Sequence, residues 1–110
     1  MWPCMQQDSV IEALREFSIE RNWGQFHTPA NLAKSISIEA AELLECFQWD
    51  DEGRIDKARL ELADVLTYAY YLADSLGESP EALIKEKLEI TRQKYPVEKS
   101  FGSSTKYDEL

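Results

Sequence analysis

Between Ile55 and Leu76 the apolar residues Ala58, Leu62, Val65, Leu66, Ala69, Leu72 and Ala73 recur at steps of three and four, the period of one α-helix face. No segment alternates polar and apolar residues as a half-buried strand does, and there are no repeats or low-complexity tracts. A chain with so long an amphipathic stretch and no convincing strand has to bury helix against helix, so the fold class is all-α.

Local punctuation supplies the remaining elements. The spacing of Val10, Ile11, Leu14 and Phe17 predicts a helix from about Asp8 to Asn22, with Asp8 or Ser9 as its cap. Thr28-Pro29 is a cap followed by proline at the first helical position, where the missing N–H costs nothing, and it opens a second helix reaching about Trp49. After the polar break Asp50-Asp51-Glu52-Gly53 comes the Ile55–Leu76 helix, stopped by Gly77. Ser79-Pro80 repeats the cap signal and opens a fourth helix that ends before Pro96. The tail from Val97 to Leu110 has weak periodicity and is expected to be extended or mobile. The expected organisation is a single domain over 1–110, with a helical core at about 8–95 and a tail at 96–110.

Composition narrows the function classes. A net charge of -9, from 21 acidic and 12 basic residues, argues against a nucleic-acid or anionic-membrane surface, which needs clustered Lys and Arg. No stretch approaches the ~20 apolar residues of a membrane span. Cys4 and Cys46 are too few for a disulfide scaffold, and Cys46 falls in an apolar helical pattern that suits a buried thiol, so a reducing, cytoplasmic setting is expected. At 110 residues a second copy adds useful buried area, and a homo-oligomer is expected.

Two acidic pairs interrupt the apolar pattern: Glu39 with Glu42, and Glu61 with Asp64. Residues three apart project from neighbouring turns of one helix face. On the same wheel Glu39 falls beside Leu32, Ile36 and Leu43, and Glu61 beside Val65, Tyr68 and Leu72, so both pairs sit at the edge of the core-facing stripe. Consecutive helices joined by a short turn pack antiparallel, which gathers four carboxylates in one place. Like charge and desolvation both disfavour four ionised carboxylates there, and a divalent cation resolves the conflict. An all-oxygen ligand set suits a hard ion, and Mg²⁺ in particular accepts carboxylates completed by water and phosphates. A single ExxE pair is usually a solvated face; two in phase with the core on adjacent helices are not. No Ser, Cys or His stands out as a nucleophile, which leaves a metal-activated water, with Glu42 or Glu39 to orient it or take its proton. Glu42 is preferred because it points further from the core.

At these residues the chain resembles the MazG-like all-α nucleoside triphosphate pyrophosphohydrolases, in particular their dCTP pyrophosphatase branch and small bacterial, integron-type members. The resemblance rests on an ordered set: WxxFH at Trp23–His27, ExxE at Glu39–Glu42, FQW at Phe47–Trp49, ExxD at Glu61–Asp64 and KYP at Lys94–Pro96. It runs from about Ile11 to Leu110 and implies a four-helix MazG-like fold assembled as a helical-bundle oligomer, a tetramer built as a dimer of dimers. It also implies hydrolysis between the α- and β-phosphates of a nucleoside triphosphate with Mg²⁺, in nucleotide-pool house-cleaning. Glu39, Glu42, Glu61 and Asp64 then correspond to metal ligands. Two departures stand out. Ile38 occupies a position that is Glu in many members, and Thr91 one that is Asn in dCTP-specific relatives. Because Thr offers a shorter hydroxyl where Asn both donates and accepts, dCTP is expected to be favoured with dATP also cleaved.

The resemblance further implies a base pocket from Trp23 and Trp49, aromatic faces on which a nucleobase stacks, with His27 as a base or sugar contact. Tyr68, one turn after Asp64, reaches towards sugar or phosphates. Lys87 and Arg92 match positions on the fourth helix that bind phosphate, with Thr91 beside them, and Lys106-Tyr107 lies in a tail like one that closes over a neighbouring site. Tyr70 and Tyr71 fall away from Leu62 and Ala69 on the third helix and are expected to be exposed unless a second copy covers them. The alternative reading is a non-catalytic acidic helical module that binds a divalent cation or a basic partner, which would need neither the aromatic pocket nor the lysines. A di-iron bundle is disfavoured because no His follows an acidic pair at the Glu-x-x-His spacing.

Overall fold

A computed structural model describes residues 9–109 of the chain; Cys4 and the alternative cap Asp8 lie outside them. The described residues are helical, with no strand among them. In order they form α1 (Val10–Glu20), a 3-10 turn (Gly24–Phe26), α2 (Pro29–Glu45), α3 (Ile55–Ser75), α4 (Pro80–Lys94), the one-turn α5 (Val97–Ser100) and a 3-10 turn (Tyr107–Glu109).

The expected caps are present. Ser9 Oγ accepts the Glu12 N–H at 3.2 Å, Thr28 Oγ1 the Asn31 N–H at 3.1 Å and Ser79 Oγ the Ala82 N–H at 3.3 Å. Each satisfies one of the amide groups that a helix start leaves without a partner. Pro29 and Pro80 occupy the first positions of their helices. Gly77, with φ +72°, ends α3.

The chain falls into two compact units, one ending at Glu78 and one beginning at Ser79. The first contains α1, α2 and α3. Its most extensive packing is between α2 and α3, with α1 laid against α3. The Arg54 N–H donates to the Cys46 carbonyl at 3.1 Å across the turn, while Glu39 meets Glu61 and Asp64 further along, the pattern of an antiparallel hairpin. Leu32, Cys46, Ala58, Tyr71 and Ala73 form its buried core, with Leu32 only 1% exposed. Cys46 is a buried free thiol, as its place in the apolar pattern suggested. The second unit contains α4, α5 and the closing 3-10 turn.

Three expectations are corrected. The second helix stops at Glu45 rather than near Trp49, because the Cys46, Phe47 and Gln48 amides donate to carbonyls three residues back, at 3.1, 2.9 and 3.3 Å, tightening the last turn. The tail is not wholly extended: the Pro96 carbonyl accepts the Lys99 and Ser100 amides, both at 3.0 Å, and starts α5. Tyr71 is buried within the single chain, its hydroxyl donating to the Leu14 carbonyl at 2.8 Å. Helix periodicity along α3 alone could not show that α1 covers that side.

Candidate metal and nucleotide site

The site begins at the α2–α3 hairpin. Glu39 from α2 and Glu61 and Asp64 from α3 each offer a carboxylate oxygen, and these oxygens lie within 4.8 Å of one another. Glu39 and Glu61 are half-buried, Asp64 and Glu42 exposed. Glu42 stands outside this trio but shares a hydrogen bond with the Glu39 carboxyl, which is the main reason that Glu39 is held up at about 7. Burial, then the charges of Glu42, Asp64 and Glu61, push it the same way.

The Glu39 Oε2 atom is buried and has no protein hydrogen-bond partner. An orphaned buried carboxylate oxygen is costly, and it points to a ligand supplied from outside the chain. The donor set is oxygen only, as hard divalent cations prefer. The residues present therefore fit a Mg²⁺ ion held by Glu39, Glu61 and Asp64, with Glu42 adjacent.

Beside the carboxylates lies a pocket of about 260 Å³ whose lining includes Leu14, Phe17, Trp23, His27, Asp64 and Tyr68. Asp64 belongs both to the acidic cluster and to this wall. The wall is built by the end of α1. Asn22 takes the left-handed conformation at φ +54°, its amide donates to the Ile19 carbonyl at 3.1 Å and the Trp23 amide to the Ser18 carbonyl at 3.0 Å. This reversal satisfies the last carbonyls of α1 and turns the chain back on itself. Trp23 then meets Phe17 edge-on, with ring centroids 5.5 Å apart, and the Arg21 guanidinium lies 3.7 Å over the other ring of the ladder, Phe17. His27 stands 4.5 Å from Tyr71, whose hydroxyl burial holds above its ordinary range of ionisation. The Arg15–Asp74 ion pair fastens α1 to α3 behind the pocket; Arg15 Nε donates to both Asp74 oxygens, at 3.2 and 3.1 Å. The guanidinium holds Asp74 below the usual carboxylate range.

Of the sequence-derived candidates, Trp23, His27 and Tyr68 thus come together beside the cluster formed by Glu39, Glu61 and Asp64. Trp49 does not line this pocket; it stands 89% exposed in the α2–α3 turn. Lys87, Thr91 and Arg92 belong to the second unit. Lys87 and Thr91 line a shallow apolar groove on α4 with Leu83, Ile84 and Leu88, the Thr91 hydroxyl donates to the Lys87 carbonyl at 3.0 Å, and Arg92 pairs with Glu89 at 3.7 Å. Sequence reasoning missed Leu14, Phe17, Thr67 and Tyr71 as lining residues. Leu14 and Phe17 were visible as an apolar helix face but not as a pocket wall. Tyr71 lies one turn after Tyr68, and that spacing was the available signal.

Comparison with known proteins places the fold and the family. The MazG-like family model matches residues 34–110. The chain is 41% identical over 106 residues to dCTP pyrophosphatase 1 of Rattus norvegicus and 38% identical over 105 residues to that of Homo sapiens. In both cases the match covers 86% of this chain but 62% of the relative's length. Among solved structures, a pyrophosphatase from Archaeoglobus fulgidus superposes with a TM-score of 0.77 at 43% identity, over 83% of this chain and 93% of that one. With a family match over most of its length, and an all-α fold shared with that structure, the chain belongs to the MazG-like family.

Proposed function

We propose that this chain is a Mg²⁺-dependent nucleoside triphosphate pyrophosphohydrolase, cleaving a deoxynucleoside triphosphate to its monophosphate and pyrophosphate. The observation that carries the reading is Asp64, which joins the carboxylate cluster to the aromatic pocket. A base held between aromatic faces places its phosphates next to oxygen ligands suited to Mg²⁺. The names of the relatives, dCTP pyrophosphatase and pyrophosphatase, support the same chemistry.

Glu39, Glu61 and Asp64 hold the ion, and Glu42 completes the set. When bound, Mg²⁺ neutralises phosphate charge and acidifies a coordinated water. The protein's part is positional. Trp23 stacks the base and His27 and Tyr68 supply polar contacts, while Lys87 and Arg92 are the proposed partners of remaining phosphate charge. Glu42, exposed one turn from Glu39, is the proposed acceptor of a proton from the attacking water, with Glu39 as the alternative. Trp49, which stands clear of this pocket within the single chain, is assigned to the base only as a contact supplied across the proposed homo-oligomer.

Stacking tolerates any base, so selectivity comes from hydrogen bonds at the base edge. Thr91 is the proposed edge contact, and its proton is engaged on the Lys87 carbonyl. It therefore offers lone pairs alone, which suit the amino groups of cytosine and adenine alike. dCTP is favoured and dATP is accepted, in keeping with a house-cleaning role in the cytoplasm. No helix among the described residues is long and apolar enough to cross a membrane. The chain acts as one functional domain within a homo-oligomer, a tetramer built as a dimer of dimers.

Incubation with the eight common NTPs and dNTPs and Mg²⁺, followed by ³¹P NMR, tests the reading. Pyrophosphate and monophosphate are expected, and release of orthophosphate from a pure preparation overturns it. Glu39→Gln, Glu61→Gln and Asp64→Asn are each expected to lower turnover by at least about 100-fold. The same variants should melt no lower than wild type without metal and gain less stability on adding Mg²⁺.

A further inference from the structure

Among the described glycines, Gly53 alone has another residue packed into the space of its missing Cβ. Its φ is +64°, and a Cβ there would overlap the Phe47 ring and stand 2.9 Å from the Cys46 carbonyl oxygen. That carbonyl also accepts the Arg54 amide, at 3.1 Å. The turn is closed underneath by Asp50, whose carbonyl accepts the Gly53 amide and whose Oδ1 accepts the Glu52 amide, both at 3.0 Å. Phe47 thus sets its Cδ1 and Cε1 atoms against the Gly53 backbone at the point where α2 gives way to α3.

Glu39 lies two helical turns before Cys46, and Glu61 two turns after Arg54. Along those two turns Ala58 is the buried residue, while Leu44 and Leu60 are 67% and 68% exposed. Ala58 and the half-buried Leu43 are the apolar contacts within those turns, so the packing of the turn itself adds to what fixes the register. A slip of one residue moves a side chain about 1.5 Å along its helix and about 100° around it, enough to take a carboxylate out of the cluster.

We propose that the Phe47 ring seated on Gly53 is a register clasp: it fixes α2 against α3 so that Glu39 faces Glu61 and Asp64, which makes Phe47 and Gly53 positioning residues for the divalent-cation site. The proposal rests on reading those carboxylates as metal ligands, and the experiment separates the two ideas.

In the full chain, Gly53→Asn keeps a residue that tolerates the left-handed backbone but adds the colliding Cβ. Combining it with Phe47→Leu replaces the rigid ring by a side chain that can yield. Mn²⁺ affinity is measured by calorimetry, and the α2–α3 register is measured in metal-free protein by nuclear Overhauser contacts around Glu39 and Glu61. Gly53→Asn is expected to weaken Mn²⁺ binding about 10-fold or more and to change those contacts at full helix content. The double variant is expected to bind Mn²⁺ more tightly than Gly53→Asn alone, the non-additivity of two residues in contact. Unchanged affinity and contacts in Gly53→Asn, or additive losses in the double variant, overturn the clasp. If Gly53→Asn does not fold, Phe47→Ala is read the same way: lower affinity and altered contacts support the clasp, and wild-type values overturn it. Wild-type protein that binds no Mn²⁺ removes the ligand reading, and the contacts alone then decide the clasp.

Discussion

Asn22 shows how much of the pocket depends on one backbone angle. Its left-handed φ of +54° reverses the chain at the end of α1 and presents Trp23 to Phe17. Glycine adopts that conformation freely, whereas a β-branched residue is disfavoured there by about 1–2 kcal/mol. Asn22→Gly should therefore leave the pocket intact, while Asn22→Val should lower stability by about that amount and raise KM for the nucleotide; denaturant melts and steady-state kinetics check both. Glu39 carries a pH signature. Its folded value of about 7 lies above the ordinary carboxyl value of 4.5, so between these limits the folded state binds more protons than the unfolded state. Metal-free stability should rise as pH falls from about 7 towards 4.5, and Glu39→Gln should flatten that segment of the melting-temperature profile. A wild-type profile already flat over this range would refute the raised value.

Between elements, the connection of α1 to α3 is charged as well as apolar. Arg15 and Asp74 form a bidentate pair, and Tyr71 adds its bond to the Leu14 carbonyl. Asp74 is held below its ordinary value chiefly by the Arg15 hydrogen bond. A depressed carboxylate stabilises the fold above its unfolded value, and that contribution is lost as pH falls through the folded value. Asp74→Asn should accordingly lower the melting temperature modestly at neutral pH, because the pair is partly solvated. The gap from wild type should close as the pH is taken below 4. A gap that persists unchanged in acid would show that the residue acts by shape, not charge. The same connection bounds the aromatic pocket, so Asp74→Asn should also affect KM more than turnover.

Among the described residues many large apolar side chains stand in water. Ile38 and Leu44 on α2, Ile55, Leu60 and Leu66 on α3, and Phe101 near the C-terminus are all at least half exposed. The buried apolar core of the described residues is small beside them. Association of copies through these helix faces is the economical way to remove that surface from water. Light scattering at micromolar concentration should give a multiple of the 12.7 kDa chain mass, and a monomer there would be decisive against the proposed assembly.

The sequence by itself determined what local chemistry controls. Caps at Thr28 and Ser79, prolines at first helical positions and a stop at Gly77 need only near neighbours, and each stands where the residues place it, while at the first helix the structure decided for Ser9 between two candidates. The acidic pairs were legible because a 3.6-residue period fixes which side chains share a face. Tertiary structure decided the rest. Only the meeting of α2 and α3 separates Glu42 from the trio of Glu39, Glu61 and Asp64, and only the arrival of α1 turns Tyr71 from an outer tyrosine into core. Leu14 and Phe17 become pocket walls, and Trp49 is left clear of that pocket, for the same reason: a helical wheel gives angles about one axis, whereas contacts depend on where the neighbouring axes lie.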